Sequence, residues 1–148
     1  MPRLYADIWG DRQQPAVILL HGSFAADPTA AWTQQRVLAD RYRLVIPHRF
    51  GYGSSHMPEG EQEAGATSLA TDVQAVAELL DPKTHLVGFS YGGLIALMVA
   101  AEEPDLVSSL AVIEPPLYAI LRGDAEAEEL IGRLQPVYAA ARRLPPEG

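Results

Sequence analysis

A serine between two glycines is the first feature of this sequence whose residue types could do chemistry. The segment Gly88-Phe89-Ser90-Tyr91-Gly92 lies between two apolar runs, which fits a tight turn from a buried strand into a helix. Small flanking residues allow such a turn, which exposes the serine hydroxyl near the positive end of the helix dipole. The pattern predicts that Ser90 is a nucleophile; the alternative is a glycine-rich turn with an incidental serine.

A nucleophilic serine also needs hydrogen-bond donors for the oxyanion of a tetrahedral intermediate. The backbone N–H after the nucleophile, on Tyr91, is one predicted donor. The second should come from the loop after a neighbouring strand, and the segment LLHGSF ends an apolar run. We therefore predict the N–H of Ser23, with Phe24 as an alternative donor or pocket residue. The other interpretation is an ordinary turn in which His21 caps the strand end.

A serine nucleophile usually needs a histidine base, and none of the 4 histidines follows Ser90. His85 lies at the start of its strand, at the opposite end of the sheet from the serine. His21 is predicted to be a satisfied structural group and His56 a loop residue. His48 ends a strand that should neighbour the nucleophile strand, so it is the candidate for a displaced base.

The elements that must position these residues alternate along the chain. RLYADIW is typical of an edge strand, whereas three later segments are typical of buried strands: PAVILLHG, YRLVIPH and HLVGF. SLAVIEPP is a fourth later segment with a strand pattern, and two prolines end it. Helical patterns cover residues 26–40, 69–80, 94–103 and 124–143. Residue type predicts the caps, first turns and breaks of these helices: Asp27 as N-cap, Pro28 as first helical residue, Thr67 or Ser68 as a cap, Pro104 as a stop and Pro136 as a break.

Apolar strands that alternate with helices imply an α/β fold, a mostly parallel sheet with helices on both faces. Ligands of such sheets bind at the carboxyl ends of the strands. The chemistry should therefore lie where the strands end, at His21–Phe24, His48–Gly53, Phe89–Tyr91 and Glu114–Pro116.

Three motifs in this order, LLHGSF, PHRFGYGSS and GFSYGG, resemble the N-terminal half of an α/β-hydrolase of the serine-nucleophile type. The resemblance covers residues 4–116 and implies a nucleophile elbow at Ser90, with Gly88 and Gly92 as the elbow glycines. It also implies an oxyanion hole at Ser23 and Tyr91.

The middle motif is similar to the family's loop D-x-R-G-x-G-x-S. His48 replaces the aspartate and Phe50 the arginine, while Arg49 lies one position early. This departure leaves open the structural ion pair that the loop normally makes.

The family's chain order is serine, then an acid, then histidine. The acid usually comes one strand later than Glu114, although some members have an acid at its position. Glu114 is therefore either the acid of the catalytic triad or a solvated or helix-capping glutamate before two prolines.

The family would continue after Glu114 with a lid, two more strands and a final helix. We therefore expect residues 1–116 to be the first half of the core, lacking the C-terminal strands, and residues 117–148 to resemble the start of a lid. A truncated product is the preferred explanation; a second chain that supplies the rest, or a shortened relative without catalysis, are the alternatives. SLAVI should then be an open sheet edge, which predicts a homodimer or a partner chain that covers it.

Composition excludes several classes. The net charge of −8 argues against nucleic acid and anionic membrane surfaces. Cysteine is absent and no histidine pair has ligand spacing, so neither a metal nor a cofactor is predicted. The first residues lack an apolar signal region and the longest apolar run, Leu94 to Ala101, is too short to span a bilayer, which predicts a cytoplasmic location. Gly51-Tyr52-Gly53 lacks the third glycine of a dinucleotide-binding motif.

The resemblance implies a serine hydrolase that acts through an acyl-enzyme on a small ester, thioester, lactone or activated ketone. A serine nucleophile disfavours epoxide hydrolase and haloalkane dehalogenase chemistry, whereas acyl transfer stays an alternative. The absent histidine favours a second hypothesis for this chain as given, a non-catalytic binding or interaction module with the same fold.

Overall fold

The computed structural model describes residues 3–23, 25–59, 67–117 and 123–141. Its strands are β1 (Ala6–Trp9), β2 (Ala16–Leu20), β3 (Arg43–Pro47), β4 (Thr84–Phe89) and β5 (Val107–Ile113). Its helices are a 3₁₀ helix (Ala30–Asp40), α1 (Leu69–Ala77), α2 (Tyr91–Glu102) and α3 (Ala125–Ala141).

The five strands form one sheet in the order β1-β3-β2-β4-β5. β1 runs antiparallel to β3, and the other neighbours are parallel. The prediction of a mostly parallel sheet is therefore confirmed. Leu20 at the end of β2 pairs with Gly88, so the residues that follow β2 lie level with Ser90. The topology thus brings two of the predicted site segments together.

The core lies on both faces of the sheet because β2 is buried along its whole length. Ile18 and Leu20 face a cluster that includes Val76 of α1 and Ile95 of α2. The alternate residues of β2 pack on the other face with Trp32 of the 3₁₀ helix. Helices therefore cover both faces, as predicted from the continuous apolar run.

The helix starts agree with the sequence at one site and differ at another. The Ser68 side chain caps α1 by accepting the N–H of Thr71 at 3.1 Å, which confirms Ser68 as a cap. The prediction for the 3₁₀ helix was wrong, since it begins at Ala30 rather than at Pro28. The Asp27 carboxylate accepts the N–H and the hydroxyl of Thr29, both at 2.8 Å. Asp27 thus stabilises a turn before the helix instead of its first turn.

Two other helix predictions need correction. α2 begins at Tyr91 rather than Leu94, because the carbonyl of Ser90 accepts the N–H of Gly93 at 2.8 Å and starts the helical hydrogen bonds at the turn itself. Pro136 lies inside α3 and does not break it. Gly132, whose carbonyl loses its donor to this proline, is exposed, so water can satisfy that carbonyl.

β5 lies at the edge of the described sheet, as predicted for SLAVI. Its apolar residues Leu110, Val112 and Ile113 are 37%, 38% and 44% exposed. Among the helices within the described ranges, none is long and apolar enough to cross a membrane.

Candidate active site

Ser90 stands alone between the last residue of β4 and the first residue of α2. Its backbone has φ 52° and ψ −123°, a left-handed conformation that costs a side-chain-bearing residue about 1 to 3 kcal/mol. The Ser90 N–H donates to the carbonyl of Ile113 at 2.8 Å, which ties the strained residue to β5. Strain of this kind is characteristic of functional sites.

The glycines on either side of Ser90 have no space for a side chain. A Cβ on Gly88 would lie 2.3 Å from the carbonyl oxygen of Gly92. A Cβ on Gly92 would lie 2.3 Å from the carbonyl oxygen of Leu20. These contacts are to backbone atoms, so the turn from β4 into α2 and its packing on β2 require glycine at both positions.

The loop after β2 passes directly against Ser90. A Cβ built on Gly22 would lie 3.0 Å from the Ser90 Cβ and 3.3 Å from a ring carbon of Phe89. Gly22 is buried and Ser23, which follows it, is half-buried. The structure therefore brings Gly22, the residue before Ser23, against Ser90, the residue before Tyr91, while Phe24 lies outside the described residues.

His21 is fully buried and both of its ring nitrogens have partners. Nε2 accepts the backbone N–H of Arg49 at 3.2 Å, so Nδ1 carries the proton and donates to the carbonyl of Gly22 at 2.8 Å. Burial, followed by the charge of Arg49, lowers the pKa of His21 to about 4. His21 is therefore a neutral structural group, which confirms that interpretation and excludes the ring as the base.

Arg49 forms a buried ion pair that the sequence did not reveal. Its Nη2 lies 3.5 Å from Oδ2 of Asp72, and both side chains are almost fully buried. The guanidinium carbon lies 4.3 Å from the ring centre of Tyr91 and 4.9 Å from that of Tyr52. The sequence did contain one signal for this pair. Asp72 lies four residues before Val76, on the apolar face of α1, and a buried carboxylate without a charged partner would be costly there.

His48 is not available as a displaced base, so that hypothesis was wrong. Its Nδ1 accepts the N–H of Ser54 at 3.0 Å. Its Nε2 therefore carries the proton and donates to the carboxylate of Asp7 at 2.9 Å. Asp7 belongs to β1, and two strands separate β1 from the strand that leads to Ser90.

The two remaining histidines lie where the sequence placed them. His85 is in the first half of β4, where Nδ1 contacts the Ser109 hydroxyl at 2.7 Å. His56 is an exposed loop residue. All four histidines are within the described residues, and none of their described contacts is to Ser90.

Glu114 follows β5 at the point where this strand meets Ser90. Its backbone has φ 48°, a left-handed conformation like that of Ser90. Two residues other than glycine therefore have this conformation at the ends of adjacent strands. Phe89 pairs with Ile113, which places the backbone of Glu114 beside that of Ser90. The next residue, Pro115, lies over the start of α2, 3.4 Å from where a Cβ on Gly93 would be. This arrangement brings Ser90 and Glu114 to the same corner of the sheet.

The fold has counterparts among known proteins. The sequence matches the model of the alpha/beta hydrolase fold family over residues 15–139, so the chain belongs to this family.

Relatives of known name agree with this assignment. The chain is 33% identical over 109 residues to human epoxide hydrolase 4, covering 72% of this chain and 30% of that protein. It is 36% identical over 104 residues to the pimeloyl-[acyl-carrier protein] methyl ester esterase of Aeromonas salmonicida, covering 68% and 38% respectively. A thioesterase domain from the curacin biosynthetic pathway is similar in structure, with a TM-score of 0.67, 27% identity and coverage of 87% and 46%. The chain thus spans 30% and 38% of the length of these two curated relatives.

Proposed function

We propose that this chain carries the nucleophile and oxyanion hole of a serine hydrolase, with Ser90 as the nucleophile. The observation that carries the proposal is the strained Ser90 backbone at the end of β4, with the Gly22–Ser23 loop directly against it. The Ser90 oxygen attacks a carbonyl carbon, and the oxyanion accepts hydrogen bonds from the N–H groups of Ser23 and Tyr91. The bond to the leaving group then breaks, and the protonated leaving group (the alcohol of an ester or the thiol of a thioester) departs from the acyl-enzyme. Water hydrolyses the acyl-enzyme to the acid and free Ser90.

A carbonyl substrate fits a serine nucleophile better than an epoxide. Attack of a hydroxyl oxygen on an epoxide carbon would leave an ether, which water does not cleave under these conditions. Attack on an ester, thioester, lactone or activated ketone leaves an ester on Ser90, which water can release. The relative named as a methyl ester esterase and the structurally similar thioesterase domain support this choice of substrate class.

We propose that Glu114 is the acid that orients the base and that the base is a histidine from outside these 148 residues. Of the four histidines of the chain, His21, His48 and His85 contact groups other than Ser90, and His56 is an exposed loop residue. Glu114 is exposed beside Ser90, where a carboxylate could hold an imidazole and stabilise its charged form. A general base of this kind contributes about 10²- to 10⁴-fold to a rate.

The experiment is covalent labelling of Ser90 with a fluorophosphonate probe, located by peptide mass spectrometry. We expect labelling of the wild-type chain that is lost in Ser90→Ala and kept in Ser108→Ala, which changes an exposed serine of β5. Added imidazole should increase the Ser90-dependent hydrolysis of p-nitrophenyl acetate, since it supplies a base. The rate of Ser90→Ala with imidazole is subtracted as the blank, because imidazole itself hydrolyses this ester.

The second candidate function is a non-catalytic binding module with the same fold. The engagement of His21 and His48 by structural partners favours it, because neither ring can activate the serine. Wild-type protein that shows neither labelling of Ser90 nor an imidazole-dependent rate would support this function and refute the first.

We further propose that the outer edge of β5 is covered by another chain in the working protein. The homodimer is the specific form of this proposal. Leu110, Val112 and Ile113 are exposed on an edge strand, and such edges template pairing with a second chain.

A further inference from the structure

The Gly22 carbonyl is held from two sides. His21 Nδ1 donates to it at 2.8 Å and Arg49 Nη1 donates to it at 3.3 Å. The same peptide unit contains the N–H of Ser23, and in a planar trans peptide the carbonyl and the N–H point in opposite directions. Fixing the carbonyl therefore fixes the direction of the Ser23 N–H.

Arg49 is itself held in place on several sides. Its second terminal nitrogen is paired with the buried carboxylate of Asp72, and its guanidinium carbon lies over the ring of Tyr91, 4.3 Å from the ring centre. One guanidinium group thus contacts the peptide that precedes Ser23 and the side chain of the residue that supplies the other proposed donor. The fork of an arginine can hold a carbonyl and a carboxylate at once, whereas a lysine offers a single charged point.

The charge of Arg49 also acts along this peptide. A cation at the carbonyl oxygen polarises the peptide unit, so its N–H becomes a stronger donor. Asp72 compensates the buried charge from the side of α1. The positive charge of Arg49 therefore favours an anion beside the Ser23 N–H.

We propose that Arg49 is a positioning residue of the oxyanion hole, which orients the Ser23 N–H towards the oxyanion through the Gly22 carbonyl. This inference rests on the proposed function of Ser90. If the role of Arg49 were purely structural, it would only neutralise the buried charge of Asp72. Its replacement would then leave the direction of the Ser23 N–H unchanged.

The test uses two variants of the full chain and one control. Arg49→Lys keeps the charge opposite Asp72 but loses the fork. Arg49→Met with Asp72→Asn removes both charges, so that no unpaired buried carboxylate prevents folding. The control Arg36→Met makes the same change at an exposed arginine, which lies 5.0 Å from the ring centre of Trp9.

Two quantities are measured on each folded protein, as judged by thermal melting. The first is the second-order rate constant for fluorophosphonate labelling of Ser90. The second is the NMR order parameter of the Ser23 amide, which reports how tightly the direction of this N–H is held on the ps–ns timescale, independently of any reaction. We expect labelling to slow about 10- to 100-fold in both Arg49 variants, with a lower Ser23 order parameter, and neither change in Arg36→Met.

Wild-type values of both quantities in the Arg49 variants would overturn the inference. Recovery of both in Arg49→Lys alone would also overturn it, because only the ion pair with Asp72 would then matter. If wild-type Ser90 shows neither labelling nor an imidazole-dependent rate, the proposed function fails. The Ser23 order parameter then still decides: a decrease supports the positioning by Arg49, and no change refutes it.

Discussion

His21 links the stability of the fold to pH through a single buried ring. It is neutral in the folded protein, with a pKa of about 4, against an ordinary value of 6.5 in the unfolded chain. The unfolded state therefore binds a proton first as the pH falls. The contribution of a neutral His21 is fully present above about 6.5 and is lost as the pH falls towards about 4.

We predict that the free energy of unfolding decreases by about 3 kcal/mol through this one group over that pH range. Urea denaturation at a series of pH values measures it, and His21→Gln should show a shallower decrease than the wild type. The matched control is His56→Gln, which changes an exposed ring and should follow the wild type. Equal pH dependence in all three proteins would contradict the assignment of a neutral His21.

The position of Ser90 could be predicted from sequence because its signal is local. A serine with small neighbours between a strand pattern and a helix pattern defines the turn without knowledge of distant residues. The pair of Arg49 and Asp72 could not be predicted this way, since the two side chains meet only after β3, α1 and the loop between them are in place. The family pattern also suggested a different position for the arginine of this loop.

At the scale of elements, α2 packs closely on β2. The carbonyl oxygen of Leu20 lies 2.3 Å from the place that a Cβ would take at position 92, so only glycine fits there without a shift of the backbone. The strand that bears Ser90 and the helix that follows it are therefore joined to the centre of the sheet at the turn itself. Displacement of this contact would move Ser90 relative to the Gly22 loop.

We predict that Gly92→Ala destabilises the fold by about 1 to 3 kcal/mol, because backbone atoms must shift to admit one methyl group. Gly132→Ala in α3 is the matched control. A Cβ there meets nothing within 4 Å, and alanine is favoured over glycine inside a helix by about 0.5 to 1 kcal/mol. Thermal or chemical denaturation compares the two, and an equal effect of both substitutions would show that the contact at Gly92 does not limit stability.

The elements were predictable where patterns are strong and less so at their ends. All five strands and the cap at Ser68 follow from apolar runs and residue type. The start of α2 was missed because the helical hydrogen bonds begin at the strained Ser90 carbonyl, which no propensity describes. Pro136 was expected to break α3, yet solvent at Gly132 can replace the hydrogen bond that proline removes.

At the scale of the whole molecule, the sheet is asymmetric. One edge of the described sheet is the antiparallel strand β1, whereas the other edge is the parallel strand β5 with exposed apolar side chains. The proposed acid Glu114 follows directly from this edge, so a chain that covers β5 would also approach Ser90. The sequence predicted the open edge, but it does not contain the information that would identify the partner.

We predict that the chain associates with itself through β5 and that Val112→Lys weakens this association. A charge on the edge strand opposes pairing, as it does in natural edge strands. Sedimentation velocity over a range of concentrations measures it. Val37→Lys is the control, since Val37 is 76% exposed on the 3₁₀ helix and should not affect association. A wild-type protein that stays monomeric at high concentration would contradict the homodimer.

The left-handed backbone of Ser90 has a further consequence, for the trade-off between stability and activity. Glycine adopts φ 52° without the steric cost that serine incurs, so Ser90→Gly should raise the free energy of unfolding by about 1 kcal/mol while it abolishes labelling. Selection for stability alone would therefore replace this serine. A melting temperature of Ser90→Gly at or below that of Ser90→Ala would show that the turn does not store this energy.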